Sequence, residues 1–183
     1  MAFLSDLRRF YGTGEKNPAG QSLEEFLEHY NPAKYESLCN TADIVVVRCE
    51  EKLTHWGQPL KVLMVKRSNH PSIGFWATPG GFVELKEDIS EGAARELEEE
   101  TGYHSENLTH LLSLRTTVAF CNEKIEIYVA QDLKPTHQHL DEDEFIDVYA
   151  YSVDELCEMI YSGKIEDGKT IAAIMSYKAK YEK

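Results

Sequence analysis

The chain has no apolar run approaching the ~20 residues a helix needs to cross a bilayer, and its opening residues, Met1-Ala2-Phe3-Leu4-Ser5-Asp6, form no extended apolar segment. Neither a membrane span nor a secretory leader is expected, so the sequence predicts a soluble, cytoplasmic protein with no membrane partner. Basic residues are scarce: 19 Lys and Arg stand against 32 Asp and Glu, a formal net charge of −13. Affinity for a phosphate backbone comes from clustered Lys and Arg, so this balance argues against nucleic acid as a partner. Cysteine is sparse too. Cys39, Cys49, Cys121 and Cys157 form no Cys-x-x-Cys pair, which speaks against a zinc knuckle or a disulfide scaffold and predicts reduced thiols. The histidines show no metal-ligand spacing, and no repeat or low-complexity tract is present.

What is present suits one domain with a small appendage: 183 residues, 42% of them hydrophobic, can bury a substantial core. Residues 1–41 read as an N-terminal extension, rich in Gly and Pro, that packs on the domain or on a partner subunit. Its one short helix begins at Ser22-Leu23-Glu24-Glu25, which has the form of a capping box. Residues 42–183 form the main domain. Ile44–Val47 and Val62–Val65 read as paired core strands, and Phe75–Thr78 as an extended piece in a loop-rich stretch that runs to Gly81. A helix follows from about Ser90, taken as its N-cap, to Thr101, with Gly102 at its end. Leu111–Val118, Ile125–Ala130 and Ile146–Val153 read as further strands, and Asp154–Ile160 and Thr170–Tyr181 as helices. Mixed strands with helices on both faces give an α/β sandwich.

The most informative stretch is residues 81–103. On a helix, residues three and four apart are surface neighbours, so Glu96, Glu99 and Glu100 share a face directly behind a glycine-rich loop. Like charges at that spacing repel, and a divalent cation would relieve the repulsion. Hard carboxylate oxygens suit Mg²⁺, with Mn²⁺ as a substitute. Gly80 and Gly81 let the backbone bend closely beneath a ligand and form the expected floor of a phosphate site. The planar fork of Arg95 suits holding Glu87 or a ligand glutamate in its coordinating rotamer. Glu98 points off that face.

Gly81, five residues, Glu87, seven residues, then Arg95-Glu96-Leu97-Glu98-Glu99-Glu100-Thr101-Gly102-Tyr103 resembles the Nudix box position by position, with Tyr103 where the family usually has an aliphatic residue. The resemblance extends through Lys66-Arg67, Asn69-His70-Pro71 and Phe75–Glu84 to the ADP-ribose pyrophosphatase-like subgroup, and the tail Gly163-Lys164-Ile165, Asp167, Lys169-Thr170 is similar to the end of those enzymes. The region Thr116–Phe120 departs from them in lacking their usual proline. The resemblance implies a Nudix-type α/β/α sandwich with a mixed sheet and a loop–helix–loop catalytic motif, and Glu96, Glu99 and Glu100 as metal ligands. The residues expected to contact phosphate or substrate are Gly80, Gly81, Arg67, Trp76 and Glu123, and the resemblance implies a homodimer. A separate general base is expected on a distant loop: Glu142 first, then Glu144, in the acidic run 141–144, with Glu123 in the turn after Phe120 as a third candidate. Trp76 and Phe120 are the aromatics that sequence order places nearest a base or ribose.

The function so implied is Mg²⁺-dependent hydrolysis of the diphosphate in a nucleoside diphosphate linked to another group, ADP-ribose or a related nucleotide sugar. Two other readings use the same residues: removal of pyrophosphate from non-standard nucleoside triphosphates, and a nucleotide-sensing regulatory module of the same fold.

Overall fold

The computed structural model of the protein describes residues 15–29, 40–48, 61–70, 72–84, 86–118, 123–141 and 145–182. In chain order these contain α1 (Leu23–His29), β1 (Asn40–Arg48), β2 (Lys61–Arg67), β3 (Trp76–Ala77), β4 (Gly80–Phe82), α2 (Ile89–Thr101), β5 (Tyr103–His104), β6 (Asn107–Arg115), β7 (Lys124–Gln131), β8 (Lys134–Pro135), β9 (Ile146–Ser152), α3 (Val153–Tyr161) and α4 (Gly168–Tyr181). The fold is α/β with a mixed sheet. Its order is β3-β2-β1-β7-β6, with β9 on the outer edge of β2 and β4 on β1; β1 and β7 run parallel and the other pairs antiparallel.

β1 is the central strand, and every residue of Ile44-Val45-Val46-Val47 is buried. A strand covered on both faces reads as a continuous apolar run rather than an alternating one. Val45 and Val47 pack with Met64, Ile127, Leu156, Ile174 and Tyr177 under α3 and α4, whereas Ala42, Ile44 and Val46 pack with Leu63, Ala93 and Leu97 under α2. The helices therefore lie on opposite faces.

The pairing of β1 with its neighbour changes along its length. Val46–Arg48 pair with β2, but Thr41–Asp43 pair with β4, while Val65 and Lys66 of β2 pair with β3. β1 and β2 thus part at one end, and the segment 76–82 enters the gap between them. This wedge sets the glycine-rich loop into the sheet itself, beside α2.

Several boundaries differ from the sequence expectation. The N-cap of α2 is Asp88, not Ser90: the Glu91 carboxylate accepts the Asp88 N–H at 3.2 Å, and an acidic side chain suits the positive end of a helix. Gly80–Phe82, read as loop, is a strand because β1 offers it a ladder. β6 begins at Asn107 and ends at Arg115 rather than spanning Leu111–Val118, with a register irregularity at His110–Leu112. α3 is capped by Ser152 and α4 by Asp167, each ahead of the expected starts. A two-stranded sheet of β5 and β8 follows α2 and was not anticipated.

The α1 cap is as the sequence reads: Ser22 N–H donates to Glu25 and Glu25 N–H to the Ser22 hydroxyl. Residues 15–29 lie against the loop after β2, where Asn17 Nδ2 donates to Asn69 Oδ1 at 2.9 Å and His70 Nε2 lies 3.2 Å from the Gln21 carbonyl. The Cys157 thiol is buried and free; the other three cysteines lie outside the described residues. Among the described residues no helix is long and apolar enough to cross a membrane.

Candidate active site

The face of α2 turned to the glycine-rich loop is organised around Arg95. Its Nε donates to Glu87 Oε1 at 3.0 Å, Nη1 to both Glu96 Oε1 at 2.9 Å and Glu99 Oε2 at 2.7 Å, and Nη2 to the Phe82 carbonyl at 3.0 Å. One planar guanidinium thus joins three carboxylates to the end of β4, which an ammonium could not do in a fixed fork. Burial would ease loss of the Arg95 proton, but Glu87, Glu96 and Glu99 outweigh it and raise the pKa above the ordinary guanidinium value. Burial likewise pushes the Glu87 carboxyl up, yet the Arg95 hydrogen bond and the Glu84 N–H hold it below the ordinary range.

Gly81 explains why the carboxylates can come so close to the loop. A Cβ there would stand 2.5–2.6 Å from the carboxylate atoms of Glu96, so the space a side chain would take is filled by that carboxylate. Gly80 has φ +152°, and a Cβ on it would meet the Ala42 carbonyl oxygen at 2.3 Å and Asp43 Cα at 2.6 Å. Only glycine fits there. The Gly80 N–H, pointing the other way, donates to Glu100 Oε2 at 2.7 Å, and Glu100 is 4% exposed.

The three candidate ligands therefore divide: Glu96 and Glu99 gather on one cationic nitrogen, and Glu100 is drawn to the loop backbone. Among the described residues no three His, Cys, Asp or Glu side chains already converge as a preformed cage. The donors are nonetheless of the right kind. Two carboxylates already share one positive charge, the oxygens are hard, and the Glu99 side chain, 36% exposed, opens to solvent. These residues fit a divalent cation that displaces part of the Arg95 contacts.

Arg67 and Trp76 are brought together. They line a cleft of about 410 Å³ with Ser72, Phe75, Glu166 and Lys169, just upstream of Gly80. Arg67 Nε is buried without a hydrogen-bond partner among the described residues. Trp76 also packs edge-on to Tyr149 and Tyr151 at 5.1 and 5.5 Å, so its ring serves the sheet as well. Glu123 immediately precedes β7, whose Lys124 pairs with Asn40 at the same end of the sheet as Phe82; its carboxylate accepts the Thr116 hydroxyl. Glu142, Glu144 and Phe120 lie outside the described residues. The exit of the acidic loop is fixed, however, because Ser68 N–H donates to the Phe145 carbonyl at 2.7 Å beside Arg67.

Two groups of polar residues escaped the sequence reading. Asp43 of β1 is 1% exposed, and Lys169 of α4 donates to its Oδ1 at 2.8 Å. Burial pushes the Asp43 carboxyl up while Lys169 opposes it. Glu126 of β7, level with Ala42 and through it Gly81, accepts from Ser113 at 2.6 Å and pairs with His110 Nε2 at 2.7 Å and with Lys124. Burial pushes the Glu126 pKa up, yet those three partners together pull it down to about 2. The Asp43 partner sits 126 positions away, and of the Glu126 partners Ser113 and His110 are on the neighbouring strand β6 while Lys124 is two residues back on β7 itself. The local signals were a lysine in the first turn of a helix, where the dipole disfavours it, and opposite charges two apart on one strand face at Lys124 and Glu126.

The NUDIX domain family model matches residues 40–174. The chain is 39% identical over 160 residues to a methanol dehydrogenase activator from Bacillus methanolicus, covering 86% of this chain and 77% of that one. It is 33% identical over 117 residues to an ADP-ribose pyrophosphatase from Bacillus subtilis (strain 168), covering 62% of this chain and 63%, just under two thirds, of that relative. The solved structure of an ADP compounds hydrolase superposes on 76% of this chain and 71% of its own with a TM-score of 0.64 at 20% identity, a likeness of fold.

Proposed function

Because the chain belongs to the Nudix family of hydrolases, we propose that it hydrolyses the diphosphate bond of a nucleoside diphosphate linked to another group, ADP-ribose or a related nucleotide sugar. Water adds across the P–O–P bridge, leaving a nucleoside monophosphate and a phosphorylated remainder. The observation that supports this reading is the gathering of Glu96 and Glu99 on Arg95 beside Gly81 of β4, whose missing side chain lets the Glu96 carboxylate lie against the strand.

Glu96, Glu99 and Glu100 would hold Mg²⁺, or Mn²⁺ in its place. A bound divalent cation supplies a nucleophilic water at neutral pH and neutralises charge on the phosphates, which a chain of net charge −13 otherwise repels. The protein's own residues do the positioning. Arg95 gathers Glu96 and Glu99 on one face of α2 and, with Glu87, fixes α2 to the end of β4. Gly80 and Gly81 let the β4 backbone close against β1 and against the Glu96 carboxylate. Arg67 and Trp76, at the adjoining cleft, meet the part of the substrate beyond the phosphates. The proton of the attacking water goes to a carboxylate outside the box, with Glu142 first, then Glu144, and Glu123 as the third candidate. The subgroup resemblance adds a homodimer in the cytoplasm to this reading, and sedimentation of the purified chain tests the assembly.

A panel of nucleotides with and without Mg²⁺ tests the activity. ADP-ribose and nucleotide sugars should release nucleoside monophosphate only with the metal. Pyrophosphate released from triphosphates, with diphosphate sugars untouched, would select the house-cleaning reading instead. No hydrolysis anywhere in the panel would leave the enzyme reading without support.

A further inference from the structure

We propose that Lys169 is a positioning residue for the catalytic loop: through the buried carboxylate of Asp43 it fixes Gly80, and through the Gly80 N–H it fixes Glu100. The inference rests on the reading of Glu100 as part of the catalytic site, and it adds to that site a residue on the opposite face of the sheet.

Lys169 is the second residue of α4, after the Asp167 N-cap and Gly168. A cation at the positive end of a helix is disfavoured, so its placement needs a partner elsewhere. That partner is Asp43, at 2.8 Å, with Asp167 at 3.4 Å. Asp43 needs Lys169 in turn, because a buried carboxylate is tolerated only when paired. Among the described residues its Oδ2 has no hydrogen-bond partner, and the Thr78 hydroxyl contact to Oδ1 is long at 3.5 Å. Among the described residues Lys169 is the cation that holds this carboxylate.

Asp43 lies directly against the loop. It pairs with Gly80 in the β1–β4 ladder, and its Oδ1 stands 2.8 Å from where a Gly80 Cβ would project. No side chain intervenes between the Asp43 carboxylate and the Gly80 α-carbon. On the far side of the same peptide the Gly80 N–H holds Glu100 Oε2 at 2.7 Å. A second tie runs in parallel. Thr78 N–H donates to Thr170 Oγ1 at 3.0 Å, and the Thr170 hydroxyl donates to Asp167 at 2.6 Å. The first turn of α4 thus braces Thr78 directly and Gly80 through Asp43, while α2 holds the Gly80 N–H through Glu100.

A direct role for Lys169 as an anion anchor in the adjoining cleft fits the charges less well. Glu166 and Asp167 line that cleft with Arg67 and Lys169, so its charges cancel, and the Lys169 ammonium already faces two carboxylates.

The test compares wild type with Lys169→Met and Lys169→Arg, reading amide hydrogen exchange by NMR beside steady-state kinetics. In Lys169→Met the Gly80 amide should exchange about tenfold faster or more, while the sheet-centre amides of Ile127 and Val129 keep their protection. The kcat should fall at least about tenfold with KM within about twofold, and Lys169→Arg should restore most of both. Unchanged Gly80 protection would overturn the proposal. So would a parallel rise at every core amide, since that marks a contribution to global stability alone. If the stranded Asp43 charge prevents Lys169→Met from folding, the double variant Asp43→Asn/Lys169→Met removes that charge; it should still show fast Gly80 exchange, and wild-type protection there would sink the idea. Wild type that hydrolyses no nucleotide defeats the functional reading alone, because the exchange experiment needs no turnover.

Discussion

Replacing Gly80 and Gly81 by alanine, one at a time, separates what the loop does for the sheet from what it does for the site. At Gly80 the new Cβ would fall 2.3 Å from the Ala42 carbonyl oxygen and 2.6 Å from Asp43 Cα, both backbone atoms of the central strand, with φ at +152°. Neither neighbour can rotate away. The strained φ and the forced separation of β4 from β1 together cost on the order of 3 kcal/mol. For a chain of this size that lowers Tm by roughly 6–12 °C. At Gly81 the Cβ meets only the carboxylate end of Glu96, at 2.5–2.6 Å, and that end can swing. Gly81→Ala should therefore keep its stability within about 1 kcal/mol. It should lose activity by about tenfold or more, equivalent to ~1.4 kcal/mol of transition-state stabilisation, because Glu96 leaves Arg95. Thermal denaturation and hydrolysis assays on both variants decide the matter. The reasoning fails if Gly81→Ala is fully active, or if Gly80→Ala melts with wild type.

Arg95→Lys keeps the charge but removes the fork, so it should leave the fold intact and lower kcat by about 10–100-fold, the usual effect of losing a ligand's supporting contact; wild-type turnover would contradict the bridging role. Glu126 has a folded pKa of about 2 against an ordinary value of 4.5. A carboxyl depressed in this way contributes stability that is complete above pH 4.5 and is lost as pH falls toward 2, on the order of 2–3 kcal/mol for this well-covered group. Glu126→Gln should lower stability by that order at pH 7 and flatten the decline between pH 4.5 and 2 in denaturant titrations; an unchanged acid profile would show that the cluster carries no such linkage.

Helix α2 was legible because its signals are local. The i, i+3, i+4 glutamates, the apolar Ala93 and Leu97 side and Gly102 at the end all lie within a few turns. Its start was misplaced by two residues, since Ser90 and Asp88 are both competent caps and only the partner at Glu91 decides between them. The apolar runs of β1 and β2 were legible for the same reason. What the sequence hides is tertiary. The parting of β1 from β2 that admits residues 76–82, the parallel pairing of β1 with β7 and the Asp43–Lys169 pair each depend on which strands become neighbours. No spacing along the chain records that. β5 and β8, two residues each, are too short for any periodicity to show.

The central claim is that the box carboxylates carry the hydrolysis, and turnover of Glu99→Gln at saturating Mg²⁺ with ADP-ribose tests it most directly. The variant keeps shape and hydrogen-bonding reach and loses one charge from the most open carboxylate of the trio. A folded Glu99→Gln protein should turn over on the order of a hundredfold or more slowly than wild type; a folded variant hydrolysing ADP-ribose at the wild-type rate would contradict the account.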